Sequence, residues 1–136
     1  METIFTDINY LAILVALVVN QAIGAIWYNP SVLGTTWAKL SGIDFNSIDK
    51  SDATKSMIYS GLLALIMMFV LAILIQLLKP STFIGGVGCA LILWSVATLQ
   101  MAINMIYESK PIKLFFINSA YPLISLSIAG GIFAVW

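Results

Sequence analysis

Four long apolar runs, at residues 8 to 28, 57 to 78, 83 to 107 and 114 to 135, leave every charged side chain outside them. About 20 residues of helix cross a hydrocarbon core of roughly 30 Å, and each run is long enough to do so. The pattern predicts an all-α integral membrane protein: one membrane domain over residues 1 to 136, built as a bundle of four transmembrane helices. The first run lacks the flank of a secretory signal, because Glu2 and Asp7 precede it where a basic n-region would stand. It is expected to remain as the first span.

The polar stretches punctuate the spans in recognisable ways. Asn29-Pro30 ends the first, since proline disfavours helix in the residue before it and offers no N–H to the helical ladder. Residues 31 to 56 form the one long connection. Within it, Leu33, Trp37 and Leu40 share a helical face ahead of Gly42, which predicts a short interfacial segment laid on the membrane surface or, equally, a loop with Trp37 in the aromatic belt. Asp49 and Asp52 are placed to cap the next helix and to suit its positive dipole end, so that helix should begin in water. The connections around Lys79-Pro80 and Pro111 are too short for anything but hairpins, which makes spans two, three and four antiparallel neighbours. No internal repeat supports an inverted-repeat transporter within one chain, although a second copy would supply symmetry.

Composition changes the picture mainly by exclusion. Of 136 residues, 61% are hydrophobic, against six lysines, six acids, no arginine and zero net charge, so nothing favours nucleic acid as a partner. There is no histidine to titrate near neutrality, and one cysteine, Cys89, makes no internal disulfide. Lys39, Lys50, Lys55, Lys110 and Lys113 lie on the side of the first and third loops, while Lys79 lies alone on the other. The positive-inside rule then puts those loops in the cytoplasm and both termini outside it, in a multi-pass protein of a plasma membrane.

The end of span one reads Gly24-Ala25-Ile26-Trp27-Tyr28-Asn29-Pro30, followed by Gly34 and Trp37. This resembles the Gly-x-x-Trp-Tyr-x-Pro signature, with a trailing Phe-Gly and a Trp, of small bacterial membrane proteins grouped as domain of unknown function 1761. Leu33 stands where that family usually has Phe, and Thr35 where a Lys is common. The resemblance implies a bacterial inner-membrane protein of about four spans and carries no established reaction.

Read physically, Ala16, Asn20 and Gly24 form a small-residue stripe for helix packing, with Asn20 free to hydrogen-bond across the contact. Trp27, Tyr28 and Trp37 are expected as interfacial anchors. The glycines Gly85, Gly86 and Gly88 opening span three, and Gly130 and Gly131 closing span four, should pack together at the opposite end. Cys89 reads as a small core residue, and Trp94 as a mid-membrane core packer whose indole N–H needs an acceptor.

No acid or base lies inside a span, so a proton relay is unsupported, and no metal, cofactor or catalytic group is expected. What remains is neutral. Asn20, Gln21, Gln100, Asn104, Asn118 and Tyr121 gather in the half of the membrane next to the long loop, with Ser60 nearer its surface. Pro122 denies the Asn118 carbonyl its helical partner. One reading makes these residues interhelical glue in a structural or self-associating bundle of unknown function, with membrane lipid and a second copy as partners. The alternative makes them a cytoplasm-facing polar vestibule of a small carrier or binding protein for a neutral solute or lipid-like ligand. Both readings expect at least two of Asn20, Gln100 and Asn118 to meet across a helix contact.

Overall fold

The computed structural model describes residues 6–136, the Asn46 side chain apart. Helix α1 is Tyr10–Trp27, α2 is Thr35–Ser41, α3 is Lys50–Leu78, α4 is Phe83–Tyr107 and α5 is Ile112–Val135. Among the described residues α1, α3, α4 and α5 are the helices long and apolar enough to cross a membrane. There is no strand among the described residues.

Local chemistry sets the helix limits. Asn9 caps α1, its Oδ1 accepting from the N–H groups of Leu11 at 3.0 Å and Ala12 at 3.1 Å. Asp49 does the same for α3 through the Ser51 N–H at 2.9 Å, so α3 starts seven residues before the apolar run at 57. Its 29 residues reach about 44 Å at 1.5 Å each, longer than the hydrocarbon core, which leaves its first turns and the Asp52–Lys55 ion pair in water. Gly42, at φ 74°, closes α2 where the sequence placed a stop. Between α1 and α2 the chain makes one π-helical turn, Pro30–Gly34, in which the Gly34 N–H reaches back to the Asn29 carbonyl at 2.9 Å.

The four long helices run antiparallel in sequence order, giving the bundle a termini end and a loop end that carries α2. Helix α5 is central and contacts α1, α2, α3 and α4. Helix α3 packs on α1 and α5 and more lightly on α4, to which a four-residue turn joins it, so spans two, three and four are neighbours with the closest packing between α4 and α5. The closely packed core lies toward the termini end, around Met68 and Leu71 with Ile13, Ala72, Ile75, Cys89, Leu126 and Ala129. Outward faces are aliphatic, as at Val18, Ile92, Val96 and Leu99, and such surface is unpenalised only in lipid.

At the termini end the backbones of α4 and α5 touch. A Cβ added at Gly86 would fall on the Gly130 carbonyl and the Ala134 methyl, and one added at Gly130 on the Gly86 carbonyl and the Ala90 methyl. Each helix thus contributes a small residue four positions from its glycine, Ala90 and Ala134, so two small-xxx-small faces meet. Gly131 makes room for the Phe83 ring. The other expected contacts differ: Gly85 abuts only its own turn at Pro80 and Thr82, and Gly88 faces open space. Nearer the middle, the Trp94 indole N–H donates to the Ser119 carbonyl at 2.9 Å, which supplies its acceptor.

Candidate functional site

Toward the loop end α1 and α3 part, opening a cleft of about 520 Å³. Helix α1 lines it with Asn20, Gln21, Gly24 and Ala25, followed by its C-cap Tyr28, α3 with Met57, Ser60, Leu63, Ala64 and Met67, and α5 with Tyr121. No lining residue is charged. The walls are mostly apolar, and the polar groups cluster where α1 meets α5.

Asn20 sits at that junction, 1% exposed. Its Oδ1 accepts from the Tyr121 hydroxyl at 2.9 Å, and its Nδ2 donates to Gln21 Oε1 at 3.4 Å. A hydrogen bond to a buried amide inside a membrane is worth on the order of 1 kcal/mol, so this pair locks α1 to α5 modestly. Gln21 lies about 100° further round α1, turned toward α3, with its Nε2 beside the space that Gly61 leaves open. The Gln21 amide N–H groups make no hydrogen bond among the described residues. With the Tyr28 hydroxyl, which also makes none, they are free polar donors of the cleft. Ser60 contributes less, because its hydroxyl is spent on the Met57 carbonyl at 3.0 Å.

The motif at the end of α1 builds the wall of this cleft. Gly24 lies under the Tyr121 ring, with room for a Cβ only at 3.4 Å. The Trp27 indole N–H donates to the Ile117 carbonyl at 3.0 Å, which fastens α1 to α5 one turn later. Tyr28 stacks edge-on against Tyr121 at 5.7 Å and against Trp37 at 5.3 Å. Asn29 Oδ1 accepts the Ser31 N–H at 2.9 Å, and Gly34 lies on the Tyr28 carbonyl, where no Cβ fits. Glycines, aromatics, proline and asparagine together form one knot that ends α1, turns the chain and seats α2 on α5.

This arrangement revises several expectations. Trp27 and Tyr28 are bound within the protein, and Trp37 packs on Tyr28 and Phe45, so these rings serve as internal clasps in addition to any interfacial placement. Ala16, Asn20 and Gly24 share the face that meets α5 and the core, with Ala16 1% exposed. The six polar residues do not line one vestibule. Asn20, Gln21 and Tyr121 belong to the cleft, whereas Asn104 and Asn118 line a separate recess near α2 and α4. Gln100 is exposed and bonded along its own helix to Asn104 Oδ1 at 3.4 Å. No two of Asn20, Gln100 and Asn118 meet; the partner of Asn20 across the helix contact is Tyr121. Of the lining from α3 only Ser60 stood out in the sequence; Met57, Leu63, Ala64 and Met67 carry no polar signal.

The Asn20–Tyr121 bond makes a measurable claim. In detergent, Asn20→Leu and Tyr121→Phe should each lower stability by roughly 1 to 2 kcal/mol, with a coupling energy near 1 kcal/mol in the double-mutant cycle. Strict additivity would mean that the hydroxyl and the amide do not hold each other.

No group of three or more His, Cys, Asp or Glu able to hold a metal is found among the described residues. The family model described as Protein of unknown function (DUF1761) matches residues 11–134. The chain belongs to that family. No curated protein and no solved structure matches it.

Proposed function

For this member of the DUF1761 family, we propose that the α1–α3 cleft binds a neutral amphiphile from the membrane, holding its uncharged polar group at Gln21. The carrying observation is a donor amide without a protein partner, facing an apolar-walled opening of about 520 Å³. Gln21 lies about 10 Å along α1 from Tyr28, too deep for bulk water to be its ready alternative. An unpaired amide facing hydrocarbon costs on the order of 1 to 3 kcal/mol, and a hydroxyl or carbonyl brought in by a ligand removes that cost. The absence of charge from the lining selects against anions and cations, whose desolvation nothing there would offset. Met57, Met67 and Leu63 offer adaptable apolar surface to the rest of the molecule.

The test uses a monoacylglycerol and a lysophosphatidic acid of equal chain length as probes. Purified protein should bind the neutral probe at least tenfold more tightly, with little change between pH 5 and 8. Ala25→Phe, which projects a ring into the cleft from an exposed position, should abolish the preference at unchanged melting temperature. Equal binding of the two probes, or binding indifferent to Ala25→Phe, would refute the site. Occupation of the cleft by a second copy would show instead as a dimer that Ala25→Phe dissociates.

We further infer, from the lysine bias, that the loop end lies in the cytoplasm, and, from the family resemblance, that the membrane is a bacterial inner membrane. In a Cys89→Ser background, cysteines placed at Ser47 and Ser109, both exposed, should resist an impermeant thiol reagent in intact cells and react after permeabilisation. Labelling of both from outside would invert the orientation.

A further inference from the structure

A second recess, of about 320 Å³, lies at the loop end between α2, α4 and α5, away from the cleft. Its polar lining is Ser41, Asn104, Glu108, Lys110 and Asn118, and Met101, Met105 and Leu114 supply apolar surface. Two opposite charges thus border one cavity, yet neither Glu108 nor Lys110 is ion-paired among the described residues. The backbone carrying them is fixed. The N–H groups of Glu108, Ser109 and Lys110 close the end of α4 on the carbonyls of Asn104, Ile106 and Met105 at 3.0 to 3.1 Å, Ser109 takes the left-handed region at φ 53°, and Pro111 follows.

The recess has further unspent capacity. The half-buried Asn118 side chain makes no hydrogen bond among the described residues, and the Asn104 amide N–H groups are also free, since Gln100 engages only Oδ1. Pro122 has no N–H to give the Asn118 carbonyl, while the carbonyls on either side, of Ile117 and Ser119, receive the indole N–H groups of Trp27 and Trp94. A cation, an anion and two neutral amides therefore surround one opening, with zero net charge.

We propose that this recess binds the headgroup of a zwitterionic phospholipid, its phosphate on Lys110 and the Asn118 and Asn104 amides, its ammonium on Glu108. A molecule bearing both signs meets both unpaired side chains at once, whereas an anionic or cationic lipid leaves one charge opposed by a like charge. A lipid is the source because the recess stands where α4 leaves the membrane, beside the exposed Ile103 and Ile106, on which acyl chains can lie. The proposal does not depend on the cleft or on the orientation of the bundle.

Native mass spectrometry of the full chain tests it, with phosphatidylethanolamine and phosphatidylglycerol of identical acyl chains added in equal amounts. The wild type should retain the zwitterionic lipid at least fivefold over the anionic one. Glu108→Lys should invert that ratio, and Asn118→Leu should lower retention of the zwitterion at unchanged helicity. Both charged residues are exposed, so their replacement leaves the fold intact. Equal retention by the wild type, or a ratio that Glu108→Lys leaves unmoved, overturns the proposal. Free glycerophosphoethanolamine should fail to displace the lipid; displacement at equimolar concentration would overturn the lipid source and leave a site for soluble zwitterions.

Discussion

Gly86→Ala should lower the stability of the bundle by about 3 kcal/mol, whereas Gly88→Ala, two residues on, should leave it unchanged or raise it by up to about 1 kcal/mol. Both glycines sit in the first turns of the same helix and both substitutions add the same methyl. At Gly86 the new carbon falls on the Gly130 carbonyl and the Ala134 methyl, and backbone on backbone leaves no side chain to swing aside. Helices α4 and α5 must then separate along the seam where their backbones touch. At Gly88 nothing stands within 4 Å, so only helix propensity acts. Unfolding in mixed micelles, followed by far-ultraviolet circular dichroism, reads the difference. Equal stability of the two variants would remove the backbone contact from the account.

Gly34→Ala should cost on the order of 3 kcal/mol and displace Trp37 from Tyr28. The backbone of Gly34 is ordinary for any residue, at φ −60° and ψ −43°, so the constraint is space: the Tyr28 carbonyl and the Asn29 backbone occupy the place of a side chain. The π-helical turn would open, and α2 would lose its seat on α5. Gly42→Ala supplies the contrast, because that glycine has nothing within 4 Å but sits at φ 74°, where a side chain costs about 1 kcal/mol and the rest of the chain is undisturbed. Tryptophan emission should shift toward longer wavelength in Gly34→Ala and stay put in Gly42→Ala. Identical emission in the two would separate the turn from the aromatic clasp.

The architecture was legible because each span is written as an uninterrupted apolar run with its own stop. Asn29-Pro30, Gly42, Asp49 and Pro111 all act in the structure as their chemistry suggests, and α3 begins at the Asp49 cap, in the polar stretch ahead of its apolar run, as the two acids there imply. The candidate site was legible only in pieces. Asn20 is recognisable as a buried amide in a small-residue stripe, but its partner could not be read, since pairing with Tyr121 depends on how far α1 and α5 are each rotated about their axes. A linear sequence leaves that rotation open wherever apolar residues surround a helix on every side. The same freedom assigned Gln100 to the interior, when it turns outward and bonds to its own helix. The parting of α1 and α3 is a matter of packing between helices whose exposed residues, such as Met57, Leu62 and Leu63, look no different in sequence from buried ones. Only the motif from Gly24 to Trp37 announced itself, and its residues interlock at the wall of the cleft.

Photo-crosslinking tests the cleft most directly. A monoacylglycerol with a diazirine midway along its chain, added to the protein in lipid nanodiscs, should place most of its adducts on α3 between Met57 and Met67 and on α1 between Asn20 and Tyr28. Ala25→Phe should remove those adducts, and those on the outward face of α4, from Ile92 to Ile103, should remain few in both proteins. Adducts spread evenly over the lipid-facing residues of all four long helices, unchanged by Ala25→Phe, would contradict a binding site between α1 and α3.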